Sequence, residues 1–562
     1  MTILLSSKRA CVVRRAGSLL VVLALIAGIV GCMDRDEGEF MGGSGTAADP
    51  YQVGDWYHLD NIRYHLDAHF VLVNDLDAAT AGYEELAGPE ASDGKGWEPI
   101  QTPTGEFTGS FDGQGYEVRD LFIDGPRAGL PGLFSVVREE GVVENLGVVN
   151  ANVAGNSHVG ALVGLNAGTV SNCYSTGSVT GDWYVGGLVG LNFGGSVSTC
   201  YSAASVSGGT GVPGMEGAIG GLVGANGGAV VNSYSAGSVT GPSHVGGLVG
   251  WNLGTVSNSY YNHAEVLING ENIITIGALS GADFQEWLAN DRSLDVNERL
   301  SVEGGYYLIS DITDFKQLLA FGQDSSLKFR LQAELDLSNA PGLYIPYLAG
   351  EFHGNGHEIS NLSFSFDFVS HVGLFGLLDY GGKVIEVGVE NADMTGFGYV
   401  AGLVGENRGT VRECSATGKV TGYEYVGGLV GFNAEYEGAV SNSYSRADVT
   451  GRREVGGLVG WNPVGGTVRS SYSTGSVTGE AGVGGLVGYN RGSVTNSFWD
   501  VETSGMHMTD GGTGKTTTEM MDIATFTRWD IAAVDPGQRD DAYTWNIVDG
   551  ETYPFLSWEP VG

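Results

Sequence analysis

The sequence predicts an all-β protein built as a solenoid of stacked short strands, and three observations support that prediction. Glycine supplies 94 of the 562 residues, and because glycine is costly inside helices and strands, so many glycines indicate very frequent turns. One eight-residue block recurs eight times along the chain. Equivalent positions of the repeats carry the same residue type, as expected when each strand pairs with its counterpart in the next repeat.

The repeated block has the form VGGLVGxN, and two further short segments rich in Val, Thr and Tyr follow it. These segments, such as GTVSNCYS and GSVTG after the first block, have the composition of strands. One repeat, with only three short strands, cannot bury a core alone, so we expect the repeats to stack at about 4.8 Å per coil. The blocks begin at Val159, Val185, Ile219, Val245, Val400, Val426, Val455 and Val483.

Three residue columns are expected along the stack: buried leucines, aromatic rings and asparagines. The asparagine that ends each block is predicted to hydrogen-bond to the same residue in the next coil. The asparagine column is Asn166, Asn192, Asn226, Asn252, Asn407, Asn433, Asn462 and Asn490. The aromatic column is Tyr174, Tyr201, Tyr234, Tyr260, Tyr444, Tyr472 and Phe498, interrupted at Ser415.

The repeats form two tandem modules. Phe111 and Phe352 occupy equivalent positions at an offset of 352 − 111 = 241, and Val159 and Val400 repeat that offset (400 − 159 = 241). The first copy has an insertion near residues 78–96, which we expect to be an exposed acidic loop. Short helices are predicted after Asp55 and after Asp314, where they would cap the solenoid ends.

These features divide the chain into eight predicted segments. They are a signal peptide (1–31), a flexible tether (32–48), the β-helix head of module 1 (49–158), its repeats (159–262), a connector between the modules (263–305), the head of module 2 (306–399), its repeats (400–499) and a C-terminal capping region (500–562).

The first 31 residues are typical of a secretory signal. Four cations in the first 15 residues precede an apolar run of 11 residues, Leu19 to Ile29, which is shorter than the roughly 20 residues that span a bilayer. The run leads to Ile29-Val30-Gly31-Cys32, which resembles a bacterial lipobox. That resemblance implies that Cys32 becomes the lipidated first residue of the mature chain. The alternative is an ordinary cleaved signal in which Cys32 has no role.

The repeat VGGLVGxNxGxVxNSYSxGxVxG resembles the GLUG motif, which is found in many secreted and surface-bound bacterial proteins. The head blocks and the segment SFWDVETSG, which starts at Ser497, resemble the same proteins, and the likeness covers most of residues 50–560. It implies a right-handed parallel β-helix and an adhesin-like protein at the cell surface. It implies no single activity, because a fold does not determine a function.

Two groups of residues could bind a metal ion. His65 and His69 have the spacing of a helical zinc pair, but Leu66 stands where a zinc peptidase needs its glutamate, so we expect solvated histidines. The pairs Asp75/Asp77 and Glu334/Asp336 could bind calcium. Because the two pairs are duplicates, a repeated structural role is the leading interpretation, and no cofactor other than a possible calcium ion is expected.

The buried small-residue position after the second strand carries Cys173, Cys200 and Cys414, where most repeats have serine. Parallel stacking holds neighbouring Cβ atoms farther apart than a disulfide prefers. We therefore expect these cysteines to be buried structural thiols that do not form a stabilising disulfide.

Aromatic loops between repeats provide the best candidate surface for a ligand. They include Asp182-Trp183-Tyr184, Gly396-Phe397-Gly398-Tyr399 and Tyr423-Glu424-Tyr425, and aromatic residues also precede the ladder asparagines at Trp251, Phe432, Trp461 and Tyr489. Aromatic rings beside acids on a rigid face can stack on sugars or on a partner protein. The alternative is local packing over the solenoid corners.

The charge balance limits the partners. Lys+Arg 27 against Asp+Glu 65 gives a net charge of −38, which repels phosphate backbones and anionic lipid. No nucleic-acid partner is expected, and membrane contact is expected only through the lipid anchor.

The sequence therefore predicts a lipid-anchored protein of the cell envelope, at the cell surface, that acts in adhesion, binding or surface structure and is not an enzyme. A carbohydrate or a surface protein is the expected partner. One alternative is a β-helix polysaccharide lyase or glycoside hydrolase, whose sites gather acids with Arg or Lys on one solenoid face; we expect the arrays to be poor in Arg and Lys. A second alternative is a structural spacer without a specific ligand.

Overall fold

The computed structural model describes residues 39–101, 105–125, 130–209, 217–434 and 437–559. They form a parallel β-solenoid of about 14 turns, which confirms the predicted fold. Successive coils pair in register, as where Val163 lies opposite Val189 and Val189 opposite Val223. A typical repeat coil visits four sheets, which we name A to D in chain order.

In module 1 the four sheets are separate ladders. Sheet A contains Ser157–Gly160, Trp183–Gly186, Ile219–Gly220 and Val245–Gly246. Sheet B contains Phe134–Val137, Val163–Asn166, Val189–Asn192, Val223–Asn226 and Val249–Asn252. Sheet C contains Tyr51–Val53, His69–Leu72, Ser110–Asp112, Val142–Glu144, Thr169–Ser171, Ser196–Ser198, Ala229–Val231 and Thr255–Ser257. Sheet D contains Glu117–Arg119, Phe122–Gly125, Gly147–Gly155, Tyr174–Gly181, Tyr201–Ser202, Ser205–Gly208, Tyr234–Ser235, Val239–Thr240, Tyr260–Asn262 and Ala278–Leu279.

In module 2 sheets C and D merge into one sheet of 18 strands, because the strands of the head run from one into the other. Sheet A contains Gly398–Ala401, Glu424–Gly427, Arg453–Gly456 and Ala481–Gly484. Sheet B contains Ile345–Leu348, Phe375–Leu378, Val404–Asn407, Val430–Asn433, Val459–Asn462 and Val487–Asn490. The merged sheet contains Val302–Glu303, Tyr306–Ile309, Lys328–Leu331, Leu335–Asp336, Glu351–Ser360, Ser363–Ser365, Lys383–Thr395, Thr410–Arg412, Ser415–Thr421, Ala439–Ser441, Tyr444–Ser445, Asp448–Thr450, Thr467–Arg469, Tyr472–Ser473, Val477–Thr478, Ser493–Thr495, Phe498–Asp500 and Thr513–Lys515.

Short helices and one small sheet lie at the ends of the modules. The helical segments are Trp56–Asn61, Ile62–Tyr64, Tyr83–Ala87, Ala91–Gly94, Gly281–Ala289, Val296–Glu298, Ile312–Lys316, Leu318–Phe321, Val501–Ser504, Thr517–Met520 and Ile523–Phe526. The small sheet contains Ile531–Ala533, Trp545–Ile547 and Phe555–Leu556. None of the helices within the described residues is long and apolar enough to span a membrane.

The predicted asparagine column is a buried hydrogen-bond ladder. Asn166 Nδ2 donates to Asn192 Oδ1 at 2.8 Å, and the same bond continues through Asn226 to Asn252. Module 2 repeats this ladder from Asn407, with bonds of 2.7 to 2.8 Å. The polar groups are therefore satisfied along the solenoid axis, which allows amides to occupy the core.

The aromatic column stacks as expected, and other elements cover part of it. Tyr174, Tyr201 and Tyr234 are parallel, with ring centroids 4.8 Å apart. In module 2 the rings of Tyr444 and Tyr472 lie beneath the C-terminal region, which packs Trp545 against both of them. This region therefore shields the aromatic column of module 2 from water.

The two modules have separate strand ladders: within the described residues, no strand of module 1 pairs with a strand of module 2. Side chains of module 2 instead form hydrogen bonds with backbone groups at the open edge of the last coil of module 1. Gln323 accepts from Ser259 N at 3.1 Å and donates to Ser259 O at 3.0 Å, and Arg408 Nη2 donates to Asn252 O at 2.9 Å. Module 2 thus caps backbone groups that would otherwise be unpaired.

The structure corrects three local expectations. The insertion is only in part the exposed acidic loop that we expected, since its acids Glu84, Glu85, Glu90 and Asp93 are exposed but Tyr83 is buried with its ring 5.7 Å from Trp56. The second helix is capped by Asp311 and not by Asp314, whereas Asp55 caps the first helix as predicted. Within the predicted tether Phe40 is packed, because its ring is buried and stacks on a neighbouring tyrosine, whereas most of residues 41–48 are exposed.

Candidate functional site

Outward-facing side chains of sheets A and B meet along one corner of the solenoid and form a continuous strip that we call the aromatic seam. The first row consists of the ring-bearing residues that directly precede the first valine of a sheet A strand or its equivalent in the head, and these residues have a left-handed backbone with φ between 45 and 61°. The first row is His158, Tyr184, His244, His371, Tyr399 and Tyr425. The second row precedes the ladder asparagine and includes Trp251, Glu406, Phe432, Trp461 and Tyr489.

The seam is best developed in module 2, where rings from the two rows interlock. Tyr425 lies 4.9 Å from Tyr399 and 5.1 Å from Trp461, and Trp461 contacts Phe432 edge-on at 5.2 Å. Tyr489 extends the strip at 5.9 Å from Trp461. Burial raises the pKa of Tyr399 well above its usual value. These rings are therefore neutral and partly enclosed, which supports the packing interpretation for most of the seam.

A second group lies beside the seam, in the turns that lead into the strands of sheet A; we call Phe397, Tyr423, Arg452 and Glu480 the outer corner, and both of its rings are half-buried. Phe397 and Tyr423 stack with centroids 5.1 Å apart and planes at 9°. The Arg452 guanidinium lies 5.2 Å from the Tyr423 ring centroid, donates to its hydroxyl at 2.8 Å and pairs with Glu480 at 2.9 Å. The Arg452 and Glu480 side chains are 50% and 70% exposed. Tyr423 lies between Phe397 of the preceding coil and Arg452 of the following coil, so a sugar can contact the edge of this stack while its hydroxyls bind the cation and the carboxylate.

A fully buried charged network lies at the base of the seam, where the two modules meet. Neutral His371 donates from Nε2 to Glu406 at 2.8 Å, and Glu406 accepts from Arg408 Nε at 2.7 Å. Arg408 also lies 3.7 Å from Asp379, whose carboxylate accepts from the Tyr347 hydroxyl at 2.5 Å. The network joins sheet B of module 2 to the last coil of module 1, so it stabilises the junction between the two modules.

The pKa values of this network follow from burial and from the partners. Burial lowers the pKa of His371 below 6.5, and its neighbour Glu406 only partly offsets this. Burial alone would raise the pKa of Glu406, but Arg408 and the bond from His371 outweigh it and lower that pKa to about 2. The carboxylate is therefore charged and the imidazole neutral near pH 7. One signal of this network was visible in the sequence, since Glu406 is the charged residue in an otherwise uncharged row.

The duplicated acid pairs have structural hydrogen-bond roles. Asp75 accepts from the Glu117 backbone N–H at 3.0 Å, and its duplicate Glu334 accepts from the equivalent Glu358 N–H at 2.5 Å. Asp77 accepts from Thr80 at 2.9 Å and Asp336 accepts from Asn361 at 2.8 Å. Within the part of the chain that the structure describes, no three His, Cys, Asp or Glu side chains are placed to hold a metal ion.

The two candidate zinc histidines make separate contacts, and both are partly buried. The helical segment ends at Tyr64, so His65 and His69 do not share a helix face. His65 packs its ring against Phe40 at 5.6 Å, and His69 Nδ1 lies 2.7 Å from Ser110 Oγ. They are not the solvated histidines that we expected.

The cysteines after the second strand are buried free thiols, as expected of structural positions. Cys200 Sγ accepts from the Cys173 backbone N–H at 3.4 Å. Burial raises the pKa of the Cys414 thiol to about 12, which makes it unreactive as a nucleophile. Cys32, the predicted lipidation site, lies outside the described residues.

We expected both repeat arrays to be poor in Arg and Lys, but this is true of module 1 alone. Residues 159–262 contain no Arg or Lys, but residues 400–499 contain eight. The two copies of the repeat have therefore diverged in the chemistry of their surfaces.

Comparison with known proteins confirms the repeat. The model of the GLUG motif matches residues 155–180, 181–207, 398–421 and 422–450, two stretches in each module. The molecule is thus a parallel β-solenoid whose repeat coils contain GLUG motifs.

Two relatives are similar over part of this chain. "Halomucin" of Haloquadratum walsbyi is 33% identical over 172 residues, which cover 29% of this chain and 2% of halomucin. A "Putative Gly-rich membrane protein" of Evansella cellulosilytica is 37% identical over 142 residues, covering 24% of this chain and 16% of the relative. The matches therefore span only a small part of each relative.

A solved structure of a "putative immunoglobulin A1 protease" from Bacteroides ovatus aligns with 93% of this chain and 96% of its own. The sequence identity is 15% and the TM-score is 0.28. At that TM-score the likeness carries no argument about function.

Proposed function

We propose that this protein is a lipid-anchored, extracytoplasmic binding protein that acts in adhesion at the cell surface and has no catalytic role. The outer-corner stack of Phe397, Tyr423 and Arg452 is the observation that carries the proposal. Such a stack is rigid before a ligand arrives, because both rings are held by successive coils. Little conformational freedom is then lost on binding.

The cell-envelope location has separate support. Residues 1–31 have the features of a signal peptide that is followed by Cys32, and one relative is described as a membrane protein. The anchor would hold the solenoid outside the cytoplasm, and the outer corner would bind a carbohydrate or a surface protein.

The proposal is tested by screening the purified full chain on a glycan array, with Tyr423→Ala as the variant. Tyr543→Ala is the matched control, since that tyrosine is 41% exposed and lies in the C-terminal region, outside the strands that carry the outer corner. We expect Tyr423→Ala to weaken binding of any glycan hit about tenfold, because it removes the aromatic edge and the hydroxyl that holds Arg452, a loss of roughly 1 kcal/mol or more. Equal binding by both variants and the wild type would contradict the proposed site. Release of cleavage products from the glycans would contradict the non-catalytic role.

A further inference from the structure

The outward positions of sheet C form a flat face that differs between the modules. Seven successive strands of module 2 each place two residues on the outer side of the sheet, on either side of a core residue such as Phe329, Phe352 or Val384. Of the outer residues, Ile385 is itself buried. The fourteen outward residues are Lys328, Arg330, Glu351, His353, Lys383, Ile385, Thr410, Arg412, Ala439, Ser441, Thr467, Arg469, Ser493 and Thr495. We call this surface the basic face, because it holds five cations and one carboxylate.

Module 1 provides an internal comparison for the same fourteen positions. Its residues are His69, Val71, Ser110, Asp112, Val142, Glu144, Thr169, Ser171, Ser196, Ser198, Ala229, Val231, Thr255 and Ser257. They include no Arg or Lys and two acids. The backbone of sheet C therefore does not require cations, and the cations of module 2 call for another explanation.

The cations at the start of the basic face are only partly neutralised. Lys328 and Lys383 lie on either side of Glu351, with their ammonium groups 3.6 and 3.8 Å from its carboxylate. Both distances exceed ordinary hydrogen-bond length, and both lysine side chains are 50% exposed. Two cations share one carboxylate, so one positive charge remains in excess and ammonium donors face solvent.

The rest of the face extends this positive strip along the solenoid axis. Arg330 lies over the Tyr306 ring at 5.4 Å and pairs with Glu303 at 3.0 Å, so its own charge is largely neutralised. Arg412 pairs with Glu413 at the edge of the sheet but is 44% exposed, and Arg469 is exposed two strands further on. In a chain of net charge −38, such a strip attracts an anion locally while the surrounding surface repels broad anionic partners.

The spacing of the cations favours one class of anion. Seven strands at about 4.8 Å span about 29 Å. Arg330 and Arg412 are paired with Glu303 and Glu413, so Lys328, Lys383 and Arg469 give about one charge per 10 Å, against one per about 1.7 Å on duplex DNA. A polymer with sparse charges, one chain wide, matches that density and the width of one sheet. Nucleic acid is too densely charged to match the spacing of these cations. A membrane surface is too broad to match the width of one sheet.

We propose that the basic face binds a linear acidic polysaccharide, with uronate carboxylates paired to Lys328, Lys383 and Arg469 and the glycan lying along the solenoid axis. The face lies on strands other than those of the outer corner, so this proposal goes beyond the function proposed above and can fail independently of it.

The test measures binding of polygalacturonate to the purified full chain by titration calorimetry, at low and at physiological ionic strength. Neutral dextran and a DNA duplex are the comparison ligands. The variant combines Lys328→Gln, Lys383→Gln and Arg469→Gln, all at solvent-facing positions. The control combines Lys419→Gln, Arg528→Gln and Arg539→Gln, which changes the net charge equally at exposed cations outside the basic face.

We expect polygalacturonate to bind, dextran not to bind, and added salt to weaken binding. The basic-face variant should lose about tenfold or more in affinity, and the control less than about twofold, since each exposed ion pair contributes roughly 0.2–1 kcal/mol. No binding by the wild type would overturn the proposal. Equal losses in both variants would attribute binding to net charge, and tighter binding of DNA would assign the face to another ligand; both outcomes also overturn it.

Discussion

Arg408 and Asn252 are 156 residues apart in sequence, yet the guanidinium of Arg408 donates to the backbone carbonyl of Asn252 at 2.9 Å. Asn252 ends the buried asparagine ladder of module 1, and Arg408 follows the first ladder asparagine of module 2. One cation therefore links the ends of two ladders. Because Arg408 is buried and also pairs with Glu406, the junction between the modules depends on this side chain.

We predict that Arg408→Met destabilises the protein by about 3–5 kcal/mol, since removing one partner leaves Glu406 as an uncompensated buried charge. Urea unfolding of the purified protein measures the change. Limited proteolysis should also become faster in the connector, residues 263–305.

Arg412→Met is the matched control for Arg408→Met. Arg412 pairs with Glu413 at 2.8 Å, but its side chain is 44% exposed, so its loss should cost less than about 1 kcal/mol. If the two variants unfold at the same urea concentration, the buried network does not stabilise the junction.

Stability should fall as the pH is lowered from about 6.5 to about 2. The folded protein holds the pKa of His371 below its usual 6.5 and that of Glu406 at about 2 instead of 4.5. For both groups the unfolded chain binds protons first, so acid favours unfolding. The Glu406 contribution is fully present above pH 4.5 and is lost between about pH 4.5 and 2.

Glu406→Gln isolates that contribution in unfolding titrations at pH 7 and pH 3. We expect the variant to be less stable than the wild type at pH 7 and the difference to shrink at pH 3. Glu480→Gln, at a position where the side chain is 70% exposed, should show no such change with pH. A constant difference between Glu406→Gln and the wild type at both pH values would refute the assignment.

The asparagine ladder should be sensitive to loss of one amide in its middle. Asn192 accepts from Asn166 at 2.8 Å and donates to Asn226 at 2.8 Å. Asn192→Leu removes one acceptor from Asn166 Nδ2 and one donor from Asn226 Oδ1, which keep only their bonds to backbone groups, and this should cost about 1–3 kcal/mol. Thermal unfolding followed by circular dichroism measures the loss.

Asn156→Ala provides the comparison for the ladder variant. Asn156 Nδ2 also bonds to a side-chain oxygen, that of Asp182 at 2.8 Å, but both residues are at the surface. We expect a loss below about 1 kcal/mol there. If Asn192→Leu is as stable as Asn156→Ala, the ladder is not a source of stability.

The combined change Cys173→Ser and Cys200→Ser should leave folding intact and lower stability by no more than about 1–2 kcal/mol. Both thiols are buried and free, and serine holds the same position at Ser233 and Ser259, where the hydroxyl accepts the same kind of backbone bond. Thermal unfolding with and without reductant measures this. If the double variant fails to fold, or if the wild type unfolds on reduction, the two cysteines form a stabilising disulfide and the prediction is wrong.

The repeated coils could be predicted from sequence because identical residues recur at identical positions. Stacking then places Asn166 beside Asn192 and Tyr174 beside Tyr201, as the structure has them. The packing of the insertion around Tyr83 could not be predicted in this way, since its acidic residues suggested exposure while its aromatic residues contact Trp56. Non-repeated segments lack the column comparison that identifies buried positions.

The candidate surfaces were predicted only in part. The aromatic loops were identified from composition, but their division into packed rings such as Tyr399 and a half-buried stack at Tyr423 depends on three-dimensional contacts. The network of His371, Glu406 and Arg408 joins strands whose order in space the sequence does not give. Charges on the basic face were visible in the sequence, but their shared side of sheet C follows from the strand register.

The central claim is that this solenoid is held at the cell envelope by a lipid on Cys32, and metabolic labelling with a radioactive fatty acid in the native host tests it most directly. We predict that the wild-type chain incorporates the label and fractionates with membranes, whereas Cys32→Ala incorporates none and is released from the membrane fraction. Cys414→Ala, which removes a buried thiol, should still be labelled. A wild-type chain that never incorporates the label, or a Cys32→Ala variant that does so equally, would contradict the account.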